Sequence, residues 1–355
     1  MKSITYKETL DLKSTAYIDV RSPGEFNEAT IPGAINLPIF DNQERAQVGT
    51  VYTQQSPAKA RILGIEIVAP KLPDLVKKIQ KLSKKYENLI LFCARGGMRS
   101  ESIGLVAKMA GFELYKLKGG YKAYRHFILD QLEEYKLDSK LLVIHGYTGV
   151  GKTKLLYQLQ NLGIPIIDLE GLANHRGSAF SSIGLGEPTN QKQFDSLLWE
   201  KLNKINGVPI IAVESESKRV GISVIPDFFK EAMEEGIHIL IDRSIDSRID
   251  EIFSEYSETY NQNKKSFINR SLESISAIKK HLVKKIGKAG YQQLIKECKQ
   301  GQFDDVIKTL LIKYYDPLYQ HSLNKYQDKF TLKIKQDNLN QISQQITTFI
   351  DNSIN

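Results

Sequence analysis

Two short stretches of this chain combine residue types that chemistry uses, and each lies at the end of an apolar run. In LILFCARGGMRSESIGL the run delivers Cys93 to a glycine-containing loop, and a helix is expected to begin near Ser100. Loop amides of Arg95, Gly96, Gly97 and Met98, the positive end of a helix dipole and the Arg99 guanidinium would all favour thiolate over thiol. A cysteine so placed can fall from a pKa of about 8.5 to roughly 3.5–7.5 and act as a nucleophile at neutral pH. The same cradle could hold an oxyanion such as phosphate, sulfate or selenophosphate. Cysteine followed by glycine at a strand end also describes a buried structural thiol, and the loop alone does not separate the two.

The second stretch, LLVIHGYTGVGKTKLL, fits G-x-x-x-x-G-K-[ST] at Gly146, Gly151, Lys152 and Thr153, between a strand and a helix as that pattern requires. Loop amides around Thr148 and Gly149 would wrap a diphosphate, Lys152 would add positive charge, and Thr153 could ligate Mg²⁺. The pattern identifies a diphosphate rather than a nucleoside: a nucleotide is the default, and an isoprenoid diphosphate is the alternative. Two further strand ends carry carboxylates, Asp168 in IIDLEG and Glu214 in IIAVESESKRVG. Either could position Mg²⁺ or act as a base, and either could equally be a helix cap. His175 and Arg176 in ANHRGS, with Lys218 and Arg219 in SESKRVG, follow strand ends beside the loop and are candidate nucleic-acid or diphosphate contacts, or solvent-exposed loop charges.

Positioning these groups requires parallel sheets. Thr15–Val20 and Asn88–Cys93 are expected as buried strands, with helical periodicity over 72–86 and 100–110. This alternation predicts an α/β domain over 1–128. A helix near 121–135 and a linker to 140 lead to a second α/β domain over 141–355, with strands at 141–145, 164–168, 209–214 and 237–242. Beyond these, Ile268, Leu272, Ile275, Ile278, Leu282 and Ile286 predict one amphipathic helix inside a basic helical segment of about 261–311.

Composition sets the outer limits. The 355 residues are 41% hydrophobic and 25% charged, with a net charge of +8. Residues 261–300 hold ten basic side chains, Lys279, Lys280, Lys284 and Lys285 among them, against Glu273 and Glu297, and so equal the whole excess. That face suits a polyphosphate partner, or is a solvated lysine-rich surface. No apolar run reaches a membrane span, and the N-terminus lacks the apolar region of a signal peptide. Two distant cysteines offer no disulfide scaffold, so a cytoplasmic location is expected. Cys298, in a lysine-rich helical stretch, and Trp199, on an apolar helical face, are expected to be structural. The six histidines show no zinc-ligand spacing.

The segments DVRSPGEF (19–26), TIPGAINLP (30–38) and KLKGGYKAY (116–124) resemble the rhodanese family, which places an active-site cysteine where Cys93 stands. Arg99 lies one position later than the loop arginine of small single-domain rhodaneses. A longer loop suits phosphate-like donors better than thiosulfate. Taken with FCARGGMRS, DLEGLANHRGSAF (168–180), ESESKRVG (214–221), YYDPLY (314–319) and the order rhodanese-then-P-loop, the chain closely resembles the bacterial tRNA 2-selenouridine synthases.

That resemblance implies an enzyme acting on wobble 2-thiouridine in tRNAs for Lys, Glu and Gln. It would replace sulfur by selenium from selenophosphate through an S-geranyl intermediate made from geranyl diphosphate. Cys93 and Arg99 would serve selenium delivery, the thiol either carrying selenium or helping to bind its donor. The P-loop would hold geranyl diphosphate with Mg²⁺, and no bound organic cofactor is expected. A monomer is the expected state, and no apolar groove for the geranyl chain can be assigned from sequence. The competing readings are an ATP-dependent tRNA sulfurtransferase or a kinase with a rhodanese module, a phosphatase acting through Cys93, and a non-catalytic tRNA-binding protein.

Overall fold

A computed structural model describes residues 1–175, 187–205 and 207–354. The chain divides into two compact units, one of Met1–Glu134 with Asn190–Glu200, the other of Tyr135–Thr189 with Lys201–Asn355.

The first unit holds five strands: β1 (Lys2–Ile4), β2 (Thr15–Asp19), β3 (Ile35–Asn36), β4 (Asn88–Phe92) and β5 (Tyr115–Leu117). They form one parallel sheet in the order β1-β5-β4-β2-β3. Around it run α1 (Tyr6–Thr9), α2 (Pro23–Glu28), α3 (Asn42–Gln54), α4 (Pro57–Val68), α5 (Leu72–Ser83), α6 (Met98–Met109) and α7 (Gly120–Glu133). Local sequence starts several of these helices. Capping boxes Thr5/Glu8, Ser22/Glu25 and Asp41/Glu44 satisfy the first free amides of α1, α2 and α3. The central β4 is buried along Leu89–Phe92, which is why it reads as an unbroken apolar run.

The second unit is also a parallel α/β sheet, ordered β12-β11-β6-β8-β7. Its strands are β6 (Lys140–Gly146), β7 (Ile166–Ile167), β8 (Ile210–Glu214), β11 (Ile237–Asp242) and β12 (Phe330–Lys335). A small antiparallel pair, β9 (Arg219–Val220) and β10 (Ser223–Val224), stands apart. Helices α8 (Lys152–Asn161), α9 (Leu169–Leu172) and α11 (Asp227–Glu234) belong to this unit, whereas α10 (Gln191–Ile205), between β7 and β8 in sequence, lies in the first unit as far as Glu200. Leu155, Leu156 and Leu159 of α8 pack with Ile342, Ile346 and Ile350 of the last helix, α17 (Leu339–Ile354), in one core. No helix among the described residues is long and apolar enough to cross a membrane.

Between β11 and β12 lies a helical insertion: α12 (Ile245–Gln262), α13 (Lys264–Ala277), α14 (Lys279–Gln300), α15 (Phe303–Leu310), a π-helical turn (Leu311–Tyr315) and α16 (Asp316–Asn324). The expected single helix through Ile268–Ile286 is in fact two. Ile278 leaves helical geometry at φ −98°, ψ 11°, while its carbonyl accepts the Leu282 amide to open α14. The break lets α13 and α14 pack on each other, which one continuous helix could not do. The isoleucine–leucine stripe still faces inward, with Ile275 and Leu282 fully buried, and Lys279, Lys280, Lys284 and Lys285 are exposed.

Candidate active sites: a cysteine cradle and a phosphate loop

In the first unit, β4 ends at Phe92 and hands Cys93 to the loop 94–97, with α6 starting at Met98, two residues earlier than expected. The loop is closed from the other side by the KLKGGYKAY segment. Amides of Tyr121 and Lys122 donate to the carbonyls of Cys93 and Ala94 at 2.9 Å each. Gly120 has φ +59°, and a Cβ there would lie 2.2 Å from Cys93 O and 2.3 Å from Gly96 N, so the closure needs a glycine. Cys93 is 3% exposed. Its sulfur lies 3.4 Å from Ser100 Oγ. Burial alone would raise the thiol, but the Ser100 hydroxyl and amide with the Arg99 charge hold it below its ordinary value.

Arg99 is engaged. Its guanidinium donates to both carboxylate oxygens of Glu25, at 2.6 and 3.2 Å. This pair joins the DVRSPGEF segment to the cysteine loop. Burial would lift the Glu25 carboxyl, yet Arg99 outweighs it and holds it below the usual range. Arg95, Gly97 and Met98 are exposed and Gly96 is partly so, leaving the loop's outer face accessible.

In the second unit, β6 feeds the phosphate loop, and Gly151, at φ +77°, caps α8. Arg248 donates to Thr148 O at 2.9 Å and grips Asp316, in the YYDPLY segment, through both guanidinium nitrogens. Arg243 donates to Val150 O at 3.2 Å and to Glu251 at 3.1 Å. The carbonyls of Thr148 and Val150 are thus tied down from α12 and the end of β11, and the Val150 amide is turned inward onto Tyr147 O at 3.3 Å.

Lys152 Nζ is 3.5 Å from Gly146 O and 5.6 Å from the centre of the Tyr319 ring. Burial would lower its pKa, but Tyr319, Glu214, Glu170 and Glu216 prevail and keep it raised, so it is a fixed cation. The register pairs Glu214 with Ile144, two residues before Gly146. Glu170, Glu214 and Glu216 bring carboxylate oxygens within 4.8 Å of one another. Burial and the facing Glu170 lift Glu214 well above the usual carboxylate range, and push Glu216 up to about 7, against the pull of Lys152. Glu214 is 1% exposed, and its Oε1 has no hydrogen-bond partner. Crowded hard oxygens with an unmet buried acceptor fit a divalent cation such as Mg²⁺.

Thr148, Gly149, Gly151, Lys152, Thr153, Asp168, His175 and Glu214 all line one cavity of about 580 Å³. Asp168 is there as a cap: Oδ1 accepts the Gly171 amide and Oδ2 the Tyr157 hydroxyl, each at 2.7 Å. His175 packs over Gly221. Lys218 pairs with Asp227 and Arg219 is exposed on β9. Neither they nor Lys279, Lys280, Lys284 and Lys285 line the cavity. Arg176 lies outside the described residues. Cys298 is fully buried and burial pushes its thiol up to about 11, and Trp199 is 4% exposed. Sequence reasoning missed Glu170, Glu216, Arg243, Arg248 and Asp316. Glu170, Glu216 and Asp316 lie in segments the sequence singles out, Arg243 and Arg248 in none, and nothing in one dimension aims any of them at the loop.

A thiol cradle on one parallel sheet and a phosphate loop on another define a rhodanese-like module followed by a P-loop module. Residues 5–127 match the rhodanese-like domain family, and residues 139–349 match the tRNA 2-selenouridine synthase AAA domain family. The chain is 33% identical to the tRNA 2-selenouridine synthase of Nitrosomonas eutropha, over 88% of this chain and 89% of that one. It is 34% identical to the enzyme of that name from Hydrogenovibrio crunogenus, over 91% and 93%. This chain belongs to the tRNA 2-selenouridine synthase family.

Proposed function

We propose that this chain converts wobble 2-thiouridine of tRNAs for Lys, Glu and Gln into 2-selenouridine, with geranyl diphosphate and selenophosphate as co-substrates. The observation that carries the reading is the presence, in one chain, of a thiolate-stabilising anion cradle and a separate diphosphate loop.

At the P-loop, the amides of Thr148, Gly149 and Gly151–Thr153 with Lys152 hold the diphosphate. The thiocarbonyl sulfur attacks C1 of the geranyl group, the C1–O bond breaks, and diphosphate leaves with the electron pair. The N3 proton of the base is lost in the same exchange. Lys152 and the loop amides stabilise the charge that grows on the leaving oxygens. Mg²⁺, held by Thr153 and the Glu170, Glu214 and Glu216 carboxylates, would supply further neutralisation of that charge.

At the cysteine cradle, the amides of residues 95–98 bind the phosphoryl end of selenophosphate beside Cys93, and Arg99, held in place by Glu25, adds positive charge next to them. Selenium adds to C2 of the alkylated base, and geranylthiolate departs with the C2–S pair. Water then takes the phosphorus, breaking the Se–P bond and releasing phosphate. S-alkylation is what makes sulfur able to leave, so the order of the two steps follows from leaving-group chemistry. The basic surface of α14, with Lys279, Lys280, Lys284 and Lys285 exposed, is a candidate phosphate-backbone contact for tRNA.

The test is mass spectrometry of wobble nucleosides after incubation of the purified protein with 2-thiouridine tRNA, geranyl diphosphate, Mg²⁺ and selenophosphate. Wild type should yield 2-selenouridine, Cys93→Ala should stall at the S-geranyl base, and Lys152→Ala should make neither. Untouched thiouridine with wild type would overturn the reading, and ATP turnover would then favour a nucleotide-dependent enzyme.

A further inference from the structure

The cavity at the phosphate loop has two chemically different ends. One is built from Thr148, Gly149, Gly151, Lys152, Thr153 and Glu214 and suits a diphosphate with its counter-charge. The other is mainly apolar, supplied by the helical insertion: Phe253 of α12, Phe267 of α13, and Phe303, Val306 and Leu310 of α15. These last four are 2–6% exposed. The two ends are continuous at Gly149, which has no side chain and packs directly on Ile252 of α12. Phe267 stands 5.0 Å from Phe303, ring centre to ring centre, and Phe303 stands 6.5 Å from Phe253. The aromatic rings therefore form a contiguous wall. Ser271, one turn beyond Phe267 on α13 and 2% exposed, also lines the space.

We infer that this apolar end is the binding chamber for the hydrocarbon chain of a prenyl diphosphate, and that Ser271 and the Phe267–Phe303 wall set the chain length it accepts. A ribose and base placed against the Phe253, Phe267, Phe303, Val306 and Leu310 side chains would turn hydroxyls and ring nitrogens onto carbon, at a cost in unmet hydrogen bonds, although Ser254, Glu255, Tyr256 and Tyr315 also line the cavity. An isoprenoid tail has no such groups and gains from every carbon it buries. The small Ser271 leaves room where a larger side chain would fill the chamber, and the paired rings close it. This inference rests on the proposed use of a prenyl diphosphate at the P-loop. It adds where the chain lies and which residues measure it.

The test is calorimetric binding to the full chain with Mg²⁺, using inorganic pyrophosphate, dimethylallyl diphosphate, geranyl diphosphate, farnesyl diphosphate and ATP. Each buried CH₂ is worth roughly fourfold in affinity, so each accommodated isoprene unit should tighten binding by at least about tenfold over the one before. Ser271→Leu should weaken geranyl diphosphate by about tenfold or more while pyrophosphate stays within about twofold, since only the chamber loses volume. Phe303→Leu should move the preference from geranyl towards farnesyl diphosphate, again with pyrophosphate unchanged. Retained pyrophosphate binding shows that each variant is folded. An affinity series flat beyond pyrophosphate, or variants that lose pyrophosphate and geranyl diphosphate alike, would overturn the chamber even if tRNA is still geranylated. ATP binding with no binding of any prenyl diphosphate would instead overturn the underlying functional reading.

Discussion

Gly149→Ala is the substitution whose cost can be worked most directly from the structure. Gly149 holds φ +80°, in the left-handed region, and an alanine Cβ there would sit 2.8 Å from Ile252 Cδ1 and 2.9 Å from Arg248 O. The left-handed backbone costs an L-residue about 1–2 kcal/mol, and overpacking adds about 1–3 kcal/mol. The Ile252 side chain can turn aside, but the Arg248 carbonyl belongs to the residue that also clamps Thr148 O and Asp316. Relief by loop movement would withdraw the amides that face a phosphate. Together the terms predict a loss of about 2–5 kcal/mol in urea unfolding and a loss of pyrophosphate binding by calorimetry. In a cycle with Ile252→Ala, the side-chain part should reappear as a favourable coupling of about 1–3 kcal/mol, with the backbone part remaining. A change below about 0.5 kcal/mol, with pyrophosphate affinity intact, would show that the loop does not pack on α12 as described.

Two pH-dependent expectations follow from buried groups. Cys93 should alkylate with iodoacetamide along a pH profile whose midpoint lies below the ordinary thiol value of about 8.5, and Ser100→Ala should move that midpoint upward. A midpoint at or above the ordinary value, or one indifferent to Ser100, refutes the assigned hydrogen bond. In the second unit, His145 lies 2.9 Å from His238 and, by burial and the neighbouring His238, is pushed down to about 3. The unfolded chain takes up that proton first, at about pH 6.5, so this contribution is present at neutral pH and is lost as pH falls from about 6.5 towards 3. Urea midpoints should therefore drop on acidification, and His145→Leu should flatten the slope; an unchanged slope would place the linkage elsewhere.

Both phosphate-type cradles were legible from sequence because each is contiguous. A loop that wraps an anion with its own amides must spell its glycines and its charge within a few residues, as 93–99 and 146–153 do. The strands were legible because parallel β4, β6 and β8 are buried and read as apolar runs. What escaped depends on distant segments meeting. Arg248 and Asp316 sit 68 residues apart and meet only once α12 and α16 are in place. Glu170 and Glu216 each follow a strand end whose first acid, Asp168 or Glu214, drew attention. Of the four, Asp168 proved to be a cap. The stripe over Ile268–Ile286 was read correctly as inward-facing, but periodicity reports a face, not a helix end, so the break at Ile278 was invisible. Nor does periodicity distinguish an apolar residue packed against its neighbours from one that walls a cavity, which hid Phe267 and Phe303.

The first unit takes one of its pieces late. Trp199 completes an aromatic group with Tyr6 and Phe127, Gln193 accepts the Thr30 amide, and Asp195 pairs with Arg125, all from within Asn190–Glu200. A ribosome adding about 5–20 residues per second therefore leaves the sides of Tyr6 and Phe127 that face Trp199 uncovered for several seconds after Glu134 has been made. During that interval it is already producing β6, the phosphate loop and α8. Vectorial synthesis thus interleaves the two units, and an aromatic patch is offered to chaperones before its own chain can cover it.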